Sequence, residues 1–413
     1  MTQPHEQFCL DNVDQIDMPE SSKIRNRAVG YIATFLVTFV LGTTEIFAPW
    51  YAGLLGGTNF EVGWAMGSFG IVYMFSPAIG GKFSDRIGRK KSIGIGTIAY
   101  IGVLFLFINP LATPMYLIAV RALEGLVYGL ITPSIEGMVA ELSPEAECTV
   151  LGNFATSWSA GMILSPFVIA YMAGLYGNVS SIYVTIAVEF VSLGIIGFFM
   201  HGYRRKRTSH HETSTAETVV EVAKEDEKGQ KTSPIFIASY LSIMLWGVIS
   251  TVILSLFPTY VENLPGFVTE DFGYLLMAWN GIRTVAFIIC ARLPEHLMDE
   301  LIVLGALLSA ISSAIIFLTV DFWAFMVAML ISGVAVGFNY LGALYLVVSA
   351  TKLEKGAHAG LVESMGGVGL FLGPILGGWL MDFSLGLPYL MCTVLSLAVL
   401  VLMIVLLRRN NAQ

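Results

Sequence analysis

Gly81-Lys82-Phe83-Ser84-Asp85-Arg86-Ile87-Gly88-Arg89-Lys90-Lys91 packs six charges between two apolar stretches, at about 62–80 and 93–109. Each stretch fits the roughly 20 residues that a helix needs to cross a bilayer. The charged piece is too short for a domain and reads as a loop joining two spanning helices. Its excess of Lys and Arg marks the cytoplasmic side. Gly80, Gly81 and Gly88 permit a tight reversal and close helix approach, while Asp85 can meet arginines or a helix N-terminus. A cluster of this kind can latch one conformation and release it in another.

The rest of the chain agrees with a membrane setting. Of its 413 residues, 55% are hydrophobic and only 13% charged, and mean hydropathy is +0.74. A soluble protein of this size needs a more polar surface, so the class expected is an all-α polytopic membrane protein. The formal charge of -8 says little about partners; where the basic residues fall says more. Cys9, Cys148, Cys290 and Cys392 are scattered without metal-ligand spacing, so neither a structural disulfide nor a zinc site is expected. The first 22 residues are polar and acidic and show no cleavable signal.

Apolar periodicity predicts twelve spanning segments, near 28–53, 62–80, 93–109, 114–139, 149–174, 180–201, 235–260, 272–291, 301–319, 323–350, 358–382 and 388–407. With both termini inside, 20 of the 22 Lys and Arg fall in cytoplasmic tails and loops. The other two, Arg121 and Arg283, lie within spanning segments. That asymmetry orients the chain, and Trp50, Trp64, Trp323 and Trp379 fall at outer segment ends as an aromatic belt. The domain plan is a tail (1–27), a six-helix half (28–201), a charged linker (202–234), a second six-helix half (235–407) and a short tail (408–413). In the linker, Arg204–Arg207 suits topology and anionic lipid, not nucleic acid. His210 and His211 read as solvent-facing.

The halves carry traces of a repeat. A shift of 208 aligns Gly125 and Gly129 with Gly333 and Gly337, and Gly152, Gly161 and Pro166 with Gly360, Gly369 and Pro374. Parallel repeats place a transport path where the halves meet. The stretch at 81–91 resembles the loop signature between the second and third helices of the major facilitator superfamily. That resemblance implies a latch of Asp85 and Arg86 with Arg89 as partner, and Glu141 as an acidic residue meeting the basic loop. Glu147-Cys148 departs from the arginine and glycine expected there, while Lys355-Gly356 keeps the pattern. Arg121 followed by Gly125 and Gly129 is similar to the superfamily's fourth-helix signature, whose arginine is associated with proton coupling. Met329 replaces that arginine in the second half.

Buried ionisable groups supply the other candidates, because charge inside a membrane is costly unless paired or facing a cavity. Arg121 can pair with Glu124 one turn away. Glu45 reaches a similar depth and is the leading proton carrier, either alternating its contact with Arg121 or held in a static ion pair with it. Glu189, in the sixth segment, ranks behind it. Asn280, Arg283 and Asn339 are substrate-binding candidates, the first two able to read an anion. Glu136 belongs with the latch, and Glu363 is expected in contacts near it. Gly125, Gly129, Gly161, Pro166, Gly369, Gly373 and Pro374 serve helix packing, the two prolines interrupting the fifth and eleventh segments.

No Walker-type phosphate-binding sequence and no positioned nucleophile and base are present, so neither an ATP-driven pump nor an enzyme is expected. The leading reading is a monomeric secondary transporter of the plasma membrane with no cofactor. A proton gradient would drive it to export lipophilic or drug-like compounds. The alternatives are a proton-coupled symporter of a sugar, carboxylate or other small metabolite, and a non-transporting receptor on the same scaffold.

Overall fold

A computed structural model describes residues 18–142, 147–202, 234–290, 292–350 and 355–410. The chain begins with α1 (Glu20–Leu54), α2 (Asn59–Tyr73), α3 (Ser76–Ile87), α4 (Arg89–Leu106) and α5 (Pro114–Glu141). It continues through α6 (Glu147–Gly161), α7 (Ser165–Tyr176) and α8 (Ser180–Phe199). After residue 233 come α9 (Pro234–Thr251), a π turn (Val252–Leu256), α10 (Phe257–Glu262) and α11 (Thr269–Cys290). The last helices are α12 (Met298–Leu318), α13 (Phe322–Ala350), α14 (Lys355–Met381) and α15 (Leu387–Asn410). Among the described residues, nine helical runs are long and apolar enough to cross a membrane. The chain is an all-α polytopic membrane protein. Cys9, Arg204–Arg207, His210 and His211 lie outside the described residues, as do the side chains of Cys148, Lys355 and Glu363.

The charged stretch at 81–91 is not the loop that its composition predicts. It is helical through Ile87 and again from Arg89, leaving Gly88 alone as the reversal. Gly88 holds φ at +92°, a conformation that a Cβ would strain. The break in this pass comes earlier, at Met74 and Phe75, where Pro77 opens α3. At a helix start proline's missing N–H has no helical partner to lose. Pro166 opens α7 in the same way. Pro374 does not interrupt its helix, contrary to expectation: α14 runs unbroken from Lys355 to Met381. Proline deprives the Leu370 carbonyl of its helical donor. That carbonyl instead lies against α2, where a Cβ on Gly70 would come 3.1 Å from its oxygen.

Glycines at the 208-residue shift pack alike. A Cβ on Gly125 would meet the Phe69 carbonyl of α2, and one on Gly129 would meet Ser76 of α3. Their counterparts Gly333 and Gly337 meet Trp279 and Ala286 of α11. Gly161 abuts α1 at Phe35, while Gly369 abuts α9 at Met244. Gly373 lies against Val248 of α9. Gly81 is different, since a Cβ there meets nothing within 4 Å; close approach belongs to Gly80, which lies on the Gly129 carbonyl.

Two large seams join the helices of residues 20–199 to those of 234–410, α2 on α14 and α6 with α7 on α11, and α1 and α2 also touch the π turn at Val252–Leu256. Along the first, Gly63 and Gly67 face the Pro374 carbonyl and Ile375, and Gly378 faces Asn59. The Asn59 N–H donates to Asp382 Oδ1 at 3.1 Å, closing this end. Beside it Trp50 packs on Phe272, ring centroids 6.0 Å apart. With 2% exposure, Trp50 is core and not the interfacial anchor its position predicts. Trp323 and Trp379 are exposed, as a membrane interface favours.

Replacing Gly63 by Leu should force α2 off the Pro374 carbonyl and lower the melting temperature of detergent-purified protein by several degrees or prevent its recovery. Gly81→Ala, with open space around it and alanine's better helix propensity, should melt at or slightly above wild type.

Candidate functional site

Arg121 on α5 is fully buried, too deep for its guanidinium to be hydrated. Its Nη1 donates to Glu124 Oε2 at 2.6 Å, one turn along the same helix. Glu124, equally buried, accepts from the Tyr100 hydroxyl of α4 at 2.7 Å and from the Thr44 hydroxyl of α1. Arg121 also donates to the Ala65 carbonyl of α2 at 3.3 Å and stands 4.5 Å over the Phe69 ring. Four helices thereby hold one buried ion pair.

Glu45 is not part of that pair: among the described residues no ion pair or hydrogen bond joins it to Arg121, in contrast to the static ion pair that the sequence allows. Successive residues of a helix are turned by about 100°. With Thr44 directed at Glu124, its neighbour Glu45 points elsewhere. Glu45 is 7% exposed, and its carboxylate has no hydrogen bond or ion pair among the described residues. It lies within electrostatic reach of Arg121, Glu124 and Arg283.

Arg283 on α11 is 1% exposed and has unusual company for a buried cation. Its Nη2 lies 3.2 Å from Met162 Sδ at the end of α6. The guanidinium stands 4.8 Å over Trp279 and 5.3 Å over Trp158, contacts that attract a cation through the ring quadrupole. Its Nε has no partner among the described residues. The Trp158 indole donates to the Tyr128 hydroxyl at 3.2 Å, and the Ser159 and Thr284 hydroxyls meet across the α6–α11 seam at 2.7 Å. Arg283, lined by aromatic rings and a thioether at the α6–α11 seam, is thus within electrostatic reach of the opposite charge of Glu45 on α1.

The remaining candidates separate. Asn280 donates to the Leu276 carbonyl of its own helix at 3.1 Å, while its buried Oδ1 has no partner. Asn339 does not join Arg283: its Oδ1 accepts from Ser242 at 3.1 Å and its Nδ2 donates to Ser309 at 3.2 Å. Those bonds tie α13 to α9 and α12. Glu189 lies on α8, apart from the centre and fully buried. At the other end of α5, Arg89 pairs with Asp85 at 2.9 Å, donates to Ser84 Oγ at 3.0 Å and pairs with Glu141. This ties α3, α4 and α5 together; Arg86 and Glu136 are exposed.

The family model described as Major Facilitator Superfamily matches residues 30–299 and 299–413. The chain belongs to the Major Facilitator Superfamily. An MFS-type transporter of Methanocaldococcus jannaschii is 23% identical over 87% of this chain and 92% of its own. Multidrug resistance protein 1 of Bacillus subtilis is 23% identical over 82% and 85%. The quinolone resistance protein NorA of Staphylococcus aureus is 22% identical over 91% and 95%. Among solved structures, the nucleoside transporter NupG superposes with a TM-score of 0.72 at 16% identity, covering 93% of this chain and 98% of that one. This superfamily member is a secondary active transporter of small molecules and a multi-pass membrane protein.

Thr44, Tyr100, Trp158, Trp279 and Met162 were not singled out by sequence reasoning. Hydroxyls and aromatics recur throughout the superfamily member's apolar segments, so only Thr44, beside Glu45, carried a signal. Glu124→Gln should strand the Arg121 charge and cost about 3–5 kcal/mol, read as a large fall in melting temperature. Glu45→Gln, which breaks no hydrogen bond, should stay within about 1 kcal/mol of wild type.

Proposed function

We propose that this transporter is a proton-coupled exporter of lipophilic or drug-like compounds, with Glu45 carrying the proton. The observation that carries the reading is the placement of Glu45 and Arg283. Arg283 on α11, among Trp158, Trp279 and Met162, and Glu45 on α1 are opposite charges within electrostatic reach and without a direct bond, on the two groups of helices that the seams join. Aromatic faces and thioethers bind apolar and cationic groups with little demand on shape. When the two sides rock apart, Glu45 loses its nearby cation, and its affinity for a proton changes with it. Relatives named for multidrug and quinolone resistance support the substrate class.

In this reading two six-helix halves, 28–201 and 235–407, move about the central site, joined by the linker 202–234. Both termini are cytoplasmic, the membrane is the plasma membrane and one chain suffices for transport. The Asn59–Asp382 bond and the Trp50–Phe272 contact then seal the outer side. Arg89 with Asp85 and Glu141, flanked by Gly81, Arg86, Gly88 and Glu136, forms the inner latch. Arg121 and Glu124 act as a fixed charge pair beside Glu45.

A second reading, proton-coupled uptake of a polar or anionic metabolite, draws on Arg283 Nε and Asn280 Oδ1, both buried without partners. A ligand with a carboxylate and a donor would satisfy both. In proteoliposomes with a lumenal pH dye, lipophilic cations should move against protons. Glu45→Gln should cut that exchange at least tenfold while downhill substrate movement persists. Undiminished coupled flux in the variant removes Glu45 from the mechanism. Sugars or organic acids moving with protons would select the second reading.

A further inference from the structure

The seam between α8 and its neighbours holds a carboxylate that the central site does not use. Glu189 has 0% exposure in the protein alone, so it faces other helices and not lipid. Neither carboxylate oxygen has a hydrogen-bond partner among the described residues. A bare carboxylate is costly in a membrane interior, and helix α8 brings no cationic side chain to offset it, with sequence Ser180–Phe199.

What surrounds Glu189 is a set of hydroxyls. Ser181, Thr185 and Ser192 share its face of α8 at helical spacing, and all are buried. The hydroxyls of Ser181 and Ser192 are unpartnered. Helix α4 packs on α8, and Lys90 Nζ donates to the Met200 carbonyl at 2.7 Å, which fixes the antiparallel register. Lys90 Nζ donates to the Gly197 carbonyl as well, at 3.1 Å, and moving equal distances from the two bonds at 1.5 Å per residue brings Thr97 level with residues 190–193, the turn that carries Ser192 and follows Glu189. Thr97 Oγ1 is likewise buried without a partner. Side chains of three residues from two helices, each with an oxygen that lacks a hydrogen bond, lie within about one helical turn of one another in depth.

From these observations we infer that Glu189, Thr97 and Ser192 form a monovalent-cation site in the α4–α8 seam, occupied by a proton or by sodium and separate from Glu45. A bound proton lets the acid donate to a neighbouring hydroxyl; bound sodium takes the three oxygens as hard ligands, with water completing its shell. Ser181 and Thr185 extend the polar face toward the N-terminal end of α8, giving the ion a path that bypasses the central site. The groups facing Glu189 also suggest what occupancy does. Tyr100 of α4 is the titratable side chain within electrostatic reach of Glu189, and its hydroxyl donates to Glu124. On α1, which also packs on α8, the charged and titratable groups include Arg25, Arg27 and Tyr31 toward one end and Glu45 and Tyr51 toward the other, and on α7, the third helix against α8, they are Tyr171 and Tyr176. Filling the site removes a negative field from the Tyr100–Glu124–Arg121 network without touching the transported compound.

The test reads carboxyl groups directly and needs no transported substrate. Infrared difference spectra of the purified full chain in lipid would follow the carboxylic carbonyl stretch from about pH 5 to about pH 10, in choline chloride and in sodium chloride. The expected result is a band lost in Glu189→Gln and kept in Glu45→Gln. A band whose titration ignores sodium assigns the proton; one shifted by sodium assigns the metal ion. If Glu189→Gln is not recovered folded, Thr97→Val and Ser192→Ala should each shift the same band's midpoint by about one pH unit, roughly tenfold in proton affinity. Spectra in which Glu189→Gln matches wild type, or a Glu189 band unchanged across the range in both salts, would overturn the site. So would an unmoved midpoint in both hydroxyl variants. Because the Glu45 band is read separately, failure here leaves the exporter reading standing, and failure of Glu45 as carrier leaves this site standing.

Discussion

A guanidinium with no exposed surface, set in the middle of an apolar helix, has to find a carboxylate and enough acceptors inside the protein. Arg121 imposes that requirement, and the helices around it are arranged to meet it. Glu124 comes from the next turn of the same helix, so no distant backbone must be positioned to bring the charges together. The carboxylate then needs donors of its own. Tyr100 from α4 and Thr44 from α1 supply them, while α2 adds a carbonyl and an aromatic face to the cation. A buried pair of this kind contributes little net stability, yet removing one partner is expensive. Its effect is to fix how four helices sit.

Fixing that arrangement is what leaves Glu45 apart. Thr44 must turn toward Glu124, and the helical rotation of one residue carries Glu45 away. A carboxylate bonded as tightly as Glu124 is poorly suited to gaining and losing a proton in each cycle. The unbonded neighbour, within the field of arginines on two sides, is better suited, and on the proposed function it is the moving part beside a fixed pair.

Motion between the two groups of helices is bounded by their seams. Gly63, Gly67 and Gly70 let α2 lie backbone to backbone on α14, and small residues are how helices approach closely where no hydrophobic effect drives them together. The same contact accommodates Pro374 within an unbroken helix, because the stranded Leu370 carbonyl lies against a residue with no side chain. The Arg89 cluster ties α3, α4 and α5 together at the far end of α5.

The sequence alone determined the all-α membrane class and the identity of the buried charges. These depend on local quantities: run length, hydropathy and the cost of charge in lipid. The glycines at a shift of 208 were also legible as packing positions, since small residues at helical spacing show in one dimension. Local partnership was legible too: Arg121 with Glu124 and Arg89 with Asp85 stand one turn apart. Partnership across helices was less so, and the rotation of α1 that turns Thr44 to Glu124 is what leaves Glu45 outside the pair. Asn339 looked like Asn280 until the fold spent its amide on Ser242 and Ser309. Trp50 looked interfacial until α11 covered it. Side-chain direction across a helix interface depends on the relative rotation and register of two helices, and neither is encoded in the periodicity of one.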